Sequence, residues 1–514
     1  MDALDELLIC RLDQTRKLAE PFTLVIFGAS GDLAARKLLP AMYQLAAKHQ
    51  LPASFRIFGF ARREKNDDSW RSEMKEAVQK FSKTPVAEET WVEFAGHLHY
   101  FQGDLGDAQA YAQLRARILA PAAEPSQRNL LFYLAVQPSQ FGEIGRQLHD
   151  AGVLGKTGGV GESRRLVVEK PFGQDLVSAK KLNQELVRIA HEKQVFRIDH
   201  YLGKETVQNI LIFRFSNGIF EPLWNRQCID HVQITLSEKL GVGTRGGFYE
   251  EAGALRDVVQ NHLLEVLSLI AMEPPVSLDA ESIRDEKVKV LRAIRPILPI
   301  QAAGNVVRGQ YIEGSIDNQA RVAYRQEAKV DPTSNVETYV ALRLLIDNWR
   351  WNGVPFYLRT GKSLALSASE VRIQFRPPPH VLFAAQCGPK LDANAITIRL
   401  QPDEGISLRF NGKIPGSSMQ IRPVLMNFSY QGEFGAYTPE AYERLLLDAI
   451  VGDPTLFIRS DMVEAAWSLM DPIREAWQGC PLAASEFYRA GSWGPTAADE
   501  LLAHHGHAWR NPVL

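Results

Sequence analysis

Over the first two hundred residues, short uninterrupted apolar runs alternate with stretches of helical spacing. Thr23–Phe27, Arg56–Phe60, Asn129–Ala135, Arg165–Val168 and Val195–Ile198 read as strands. A helical pattern from Leu33 to His49 follows the first of them, with Pro40 expected to kink it. Runs that are apolar on both faces are what a parallel sheet covered on both sides requires. This part of the chain is therefore predicted to be a doubly wound α/β domain.

Beyond about residue 205 the period changes. Val232–Leu236, Val371–Arg376, Ile396–Leu400 and Ile406–Phe410 alternate apolar with polar positions, the mark of a sheet with one packed face. Long helical patterns accompany them, notably Glu251–Ala271 and Pro439–Ile450. The prediction is an α+β domain with a largely antiparallel sheet, so residues 1–204 form one domain and 205–514 another. The glycine-rich stretch Gly155–Gly161 reads as a loop inside the first domain.

Composition narrows the class. With 514 residues the chain exceeds one ordinary core. A formal charge of −2 gives no general attraction to nucleic acid or anionic membrane. Cys10, Cys228, Cys387 and Cys480 are scattered, which argues against a disulfide framework or a zinc site and fits a reducing cytosol. The acidic start Met1–Glu6 does not read as a signal peptide, and no stretch is apolar enough to span a membrane. The role of residues 1–20 is not legible.

Candidate chemistry lies at strand ends. The first strand runs into Gly28-Ala29-Ser30-Gly31-Asp32-Leu33, a turn that lets the backbone approach a pyrophosphate; a plain βα turn has the same look. Arg62, after the second strand, stands where NAD-binding folds carry an acidic residue; it suits a 2′-phosphate, or else belongs to a solvated pair with Arg63. The run Phe196–Glu205 is the densest in reactive groups. If it is extended, Asp199 and His200 point to opposite sides. His200, Tyr201 and Lys204, with Gly203 opening a helix, would suit a phosphate. His262 shares an apolar stripe with Leu255, Val258, Val259 and Val266; a lone histidine there is ordinarily a core residue unless a carboxylate such as Asp199 orients it. Lys170 ends another strand beside Pro171.

Taken together, Gly28–Leu33, Glu169–Gly173, Arg197–Glu205, Arg256–His262 and Gly353–Lys362 resemble the glucose-6-phosphate dehydrogenase family, in that family's order. The similarity runs from about Phe22 to the Gly491–Pro495 segment, and Arg-Ile-Asp-His-Tyr-Leu-Gly-Lys-Glu is its most specific element. The resemblance implies a Rossmann-like domain followed by an α+β domain with a large, mainly antiparallel sheet. It implies oxidation of glucose 6-phosphate at C1 to 6-phosphogluconolactone with NADP, or more weakly NAD, the first step of the oxidative pentose phosphate pathway, with no metal.

Carried over residue by residue, His262 is the general base and Asp199 its carboxylate. His200, Tyr201 and Lys204 hold the phosphate region, and Lys170 touches sugar and cofactor. Glu238, Asp257, Lys362 and Gln401 line the sugar, while Gly28, Ala29, Ser30, Gly31, Asp32, Leu33 and Arg62 hold the dinucleotide. A homodimer or homotetramer in the cytoplasm is implied too. Ser367 and Ala368 stand where many members carry a second lysine, Ser407 is a further departure, and a second, structural NADP is not expected here. Phe141 replaces a tyrosine near the cofactor. The rival readings are a sugar oxidoreductase of the glucose–fructose oxidoreductase type and a catalytically silent sugar-phosphate or NADPH sensor.

Overall fold

The computed structural model describes residues 19–120, 125–156, 162–378, 393–416, 420–435 and 439–513. Cys10, Cys387, the Met1–Glu6 start and most of the Gly155–Gly161 loop lie outside them. The described residues form two compact units. The first holds the chain up to Glu169, with Glu185–Ile198 and Tyr442–Leu456; the second holds Lys170–Gln184, Asp199–Ala441 and the chain from Phe457 on.

In the first unit six parallel strands are β1 (Phe22–Phe27), β2 (Phe55–Ala61), β3 (Leu98–Gln102), β4 (Asn129–Leu134), β5 (Ser163–Glu169) and β6 (Val195–Ile198). Their order is β6-β5-β4-β1-β2-β3. Every residue of β1 and β4 is buried, as expected for a sheet covered on both faces. β3 went unread in the sequence because its run Leu-His-Tyr-Phe-Gln is short and interrupted by polar groups. Sheet order reverses between β1 and β4, the place where such folds bind ligands. After β1 the helical segment begins as a π-turn, Ala34–Leu38, and continues as an α-helix over Leu39–Ala47 with Pro40 near its start. Pro40 thus falls in the first turn of the α-helix, where its missing N–H is tolerated, and not inside a helix that it kinks.

The second unit carries a nine-stranded sheet. Its strands are β7 (Ile229–Ser237), β8 (Val306–Ile312), β9 (Tyr339–Leu345), β10 (Pro355–Gly361), β11 (Ala368–Phe375), β12 (Ala395–Gln401), β13 (Gly405–Lys413), β14 (Ile421–Ser429) and β15 (Phe487–Arg489). The order is β14-β13-β12-β11-β7-β10-β9-β8-β15. Only β7–β10 and β8–β15 are parallel. This is the predicted mainly antiparallel sheet. The single helix expected over Glu251–Ala271 is not regular. It comprises α-helix Gly246–Ala254, a π-helical stretch Leu255–Leu263 and α-helix Leu264–Ala271. The break is at Gly253, whose φ of +64° suits glycine; a Cβ there would come 2.3 Å from the Glu337 carboxylate.

Candidate active site

Two groups of sequence-predicted residues are found, one in each unit. In the first unit Gly28 leaves β1 with φ +84°, and a Cβ on it would lie 2.3 Å from the Ala135 carbonyl oxygen at the end of β4. Only glycine fits this turn. The Gly31 N–H closes the turn on Gly28 O at 2.9 Å, and Gly28 and Ala29 donate to Phe60 O at the end of β2. Ser30 is half-buried, Asp32 exposed and Leu33 half-buried. Arg62, just beyond β2, is exposed, and its side chain has no partner among the described residues. A tight glycine turn at the switch point of a doubly wound sheet fits a dinucleotide.

The second unit assembles the reactive side chains. Asp199 follows β6 and is fully buried. Its Oδ1 lies 2.5 Å from His262 Nδ1 and accepts the Tyr201 N–H at 2.9 Å. His262 is no ordinary core histidine: Lys170 Nζ stands 2.9 Å from its Nε2. The same ammonium donates to the Asp257 carbonyl at 2.8 Å and approaches Asp257 Oδ1 at 3.1 Å. Asp257 and His262 converge on one lysine because the segment between them is π-helical. Positions five apart are about 140° around an α-helix, whereas an i→i+5 turn brings them to one side.

The expectation that Asp199 and His200 diverge is overturned. Leu202 N donates to Asp199 O at 3.0 Å, so the chain turns here instead of running extended. The His200 ring is thereby brought edge-on to His262, with centroids 4.7 Å apart. Lys204 also sits one step earlier than predicted, capping the helix Glu205–Phe215 rather than lying in its first turn.

Two neighbouring strands anchor the rest. Ser369 on β11 and Gln401 on β12 are register partners at a bulge. Ser369 Oγ lies 3.2 Å from the Tyr201 hydroxyl, and Gln401 Oε1 accepts from Lys204 Nζ. Ser369 was not singled out from the sequence; the only signal was its place at the head of an alternating run. Glu238 and Lys362 follow the adjacent parallel strands β7 and β10 and form an ion pair at 2.6 Å. Ser367 Oγ accepts the Lys239 N–H at 2.8 Å and Ala368 is buried in β11, so no lysine side chain occupies these two positions. Ser407 bonds Arg399, and Phe141 is buried.

The electrostatics follow from burial and neighbours. Burial pushes His262 down from its ordinary value, outweighing the Asp199 carboxylate that raises it; Lys170 lowers it further. Burial opposes ionisation of Asp199, yet His262, His200 and Lys170 hold its carboxyl well below the usual range. The pair is therefore carboxylate plus neutral imidazole. With Nδ1 donating to Asp199, Nε2 carries the lone pair. Burial also lowers Lys204, to about 8, against the pull of Glu404 and Asp199. Asp257 is held below its usual range by Lys170 and Lys362 despite its burial.

A neutral imidazole with its tautomer fixed by a carboxylate can take a proton from an alcohol. In a chain that also carries a doubly wound dinucleotide fold, that chemistry defines the class: a nicotinamide-dependent dehydrogenase. Residues 25–209 match the family model "Glucose-6-phosphate dehydrogenase, NAD binding domain", and residues 211–510 match "Glucose-6-phosphate dehydrogenase, C-terminal domain". The chain belongs to the glucose-6-phosphate dehydrogenase family.

It is 46% identical over 494 residues to glucose-6-phosphate 1-dehydrogenase of Chlamydia pneumoniae, covering 95% of this chain and 96% of the relative. The enzyme of Aggregatibacter actinomycetemcomitans is 47% identical over 496 residues, covering 96% and 98%. Among solved structures, glucose-6-phosphate 1-dehydrogenase from Mycobacterium avium superposes with a TM-score of 0.83 at 37% identity, covering 96% of this chain and 99% of that one. A glucose-6-phosphate dehydrogenase in complex with its substrate glucose 6-phosphate gives 0.86 at 35%, with the same coverage.

Proposed function

We propose that this chain oxidises D-glucose 6-phosphate at C1 to 6-phospho-D-glucono-1,5-lactone, with a bound NADP supplying the hydride acceptor. The observation that carries the reading is the buried Asp199–His262 pair, 2.5 Å apart, whose second imidazole nitrogen is met by Lys170. Membership of the family supports this over the glucose–fructose oxidoreductase type and over a silent sensor, since the proton-transfer pair is intact.

His262 Nε2 takes the proton of the C1 hydroxyl, and Asp199 stabilises the imidazolium that forms. Such a positioned base contributes about 10²–10⁴-fold. His200, Tyr201 and Lys204 hold the phosphate region. Glu238, Asp257, Lys362 and Gln401 bind the sugar, and Lys170 is the residue that would touch both sugar and cofactor. Gly28–Leu33 and Arg62 hold the dinucleotide, Arg62 favouring the 2′-phosphate. The cofactor is served by Gly28–Leu33 and Arg62 of the first unit, and the sugar phosphate by residues of the second unit, which include Lys170 and Asp199–Lys204 although these precede residue 205.

A homodimer or homotetramer built on the large sheet, working in the cytoplasm, completes the reading. No helix among the described residues is long and apolar enough to cross a membrane. The test is absorbance at 340 nm with glucose 6-phosphate and NADP, then with NAD, then with glucose. Rapid reduction confined to the phosphorylated sugar is expected. No reduction with any pair in folded protein would overturn the proposal.

A further inference from the structure

Lys362 is gripped by its backbone as well as by its ammonium. Its N–H donates to Thr338 O at 2.9 Å, and its carbonyl accepts from the Tyr488 hydroxyl at 2.7 Å. Of the two carbonyls within reach of that hydroxyl, Lys362 O is the nearer, Thr338 O lying at 3.3 Å. The Tyr311 N–H donates to Thr338 Oγ1 at 3.0 Å, which leaves the threonine proton for Tyr488 Oη, also at 3.0 Å. The single phenolic proton of Tyr488 is then spent on Lys362. Tyr488 is buried on β15, the edge strand parallel to β8, 126 positions along the chain from its partner.

The next residue shows why a grip is needed. Ser363 is buried and holds φ of +51°, a left-handed conformation that strains any residue with a Cβ. This conformation wraps the chain around Glu238. Glu238 N donates to Gly361 O at 3.0 Å, and Leu364 N donates back to Glu238 O at 2.9 Å. One turn therefore holds both members of the Lys362–Glu238 ion pair. Relaxation of Ser363 to an ordinary φ would break the Leu364 bond and draw the two side chains apart. Two segments resist it. Leu240 O accepts the Ser363 N–H at 3.1 Å from one side. On the other, Gly491 N donates to Ser363 O at 2.8 Å, three residues after the Tyr488 contact.

We propose that Tyr488 is a positioning residue for the sugar site: its hydroxyl holds the strained turn at Lys362–Ser363, and with it the Lys362–Glu238 pair, in the shape that receives the sugar. Tyr488 acts through the Lys362 carbonyl and does not touch substrate. The inference rests on the reading above of Lys362 and Glu238 as sugar-binding residues.

The experiment measures kcat and both KM values in the wild type, Tyr488→Phe, Ser363→Gly, the double variant and Lys362→Met. Tyr488→Phe keeps the buried ring and removes only the hydroxyl, so the fold is retained. Its KM for glucose 6-phosphate is expected to rise about fivefold, the scale of one neutral hydrogen bond, with kcat and KM for NADP within about twofold of wild type. Glycine takes a positive φ without strain, so on the Ser363→Gly background the same deletion should change KM by less than about twofold. An unchanged KM for glucose 6-phosphate in Tyr488→Phe, while Lys362→Met raises it, overturns the positioning role. So does an equal rise in KM for NADP, which would assign the hydroxyl to general stability. A rise that persists in full with Ser363→Gly also overturns it, since the effect would not pass through the strained turn. If Lys362→Met leaves KM for glucose 6-phosphate unchanged, the sugar-site reading of Lys362 falls, and the role of Tyr488 with it.

Discussion

Lys170 Nζ stands 2.9 Å from His262 Nε2, so the nitrogen that would receive the substrate proton is already hydrogen-bonded to a cation in the empty site. The contact keeps the lone pair on Nε2 and the proton on Nδ1, the tautomer that Asp199 also demands. It adds a repulsive charge against early protonation. Replacing Lys170 by Met removes that charge. The acid limb of kcat/KM is expected to move to higher pH, because an imidazole without a neighbouring cation protonates more readily. Lys170→Arg should hold the limb in place. A pH–rate profile of both variants is the check.

Removing the base itself has a different signature. His262→Asn is expected to lower kcat by about 10²–10⁴-fold while the dissociation constant for glucose 6-phosphate changes little. Single-turnover kinetics and equilibrium binding separate the two quantities. Near-normal turnover would remove His262 from the mechanism.

The wild-type profile of kcat/KM should be a bell with two assignable limbs. The acid limb lies below the ordinary histidine value, since burial lowers His262 and the neutral form is the active one. The alkaline limb falls near pH 8, where Lys204 loses its proton and with it the attraction for phosphate. Arginine stays charged throughout this range, so Lys204→Arg should abolish the alkaline limb even if KM rises. Lys204→Ala should raise KM for the phosphorylated sugar far more than for glucose.

Arg62→Ala should weaken NADP by about 1.5–3 kcal/mol, the scale of a charge-assisted hydrogen bond, and leave NAD nearly unchanged. Fluorescence titration with both dinucleotides decides the matter. Equal losses would make Arg62 a general structural residue.

Gly28→Ala should be costly for a reason visible in the turn. The new Cβ meets Ala135 O at 2.3 Å, and φ of +84° is strained for any side chain. A lowered melting temperature together with loss of dinucleotide binding is expected.

Much of this was legible in the chain. The buried strands β1, β2, β4, β5 and β6 announced themselves as apolar runs, and the glycine turn, Lys170 and the Asp199–Lys204 run sat at strand ends, where α/β folds place ligands. What stayed hidden depended on local backbone that composition does not encode. The turn at Asp199–Leu202 reads as extended from its residues, so the approach of His200 to His262 was missed. The stripe through Leu255, Val258, Val259, His262 and Val266 fits an α-helix nearly as well as a π-turn, and no residue in it signals the wider winding. Strands β9 and β10, apolar and only seven residues long, could not be told from buried helix by periodicity. Ser369 and Gln401 are ordinary strand residues until register pairs them.

The widened winding at 255–263 has a consequence for inheritance and for engineering. What must pass from one sequence to the next is a spacing held by a backbone shape, since keeping both Asp257 and His262 does not by itself keep them together. A descendant with both residues but a 3.6-residue turn would carry a complete motif and an idle lysine. Grafting the run Arg256–His262 onto a straight helix of another scaffold would transplant every side chain and leave the site behind.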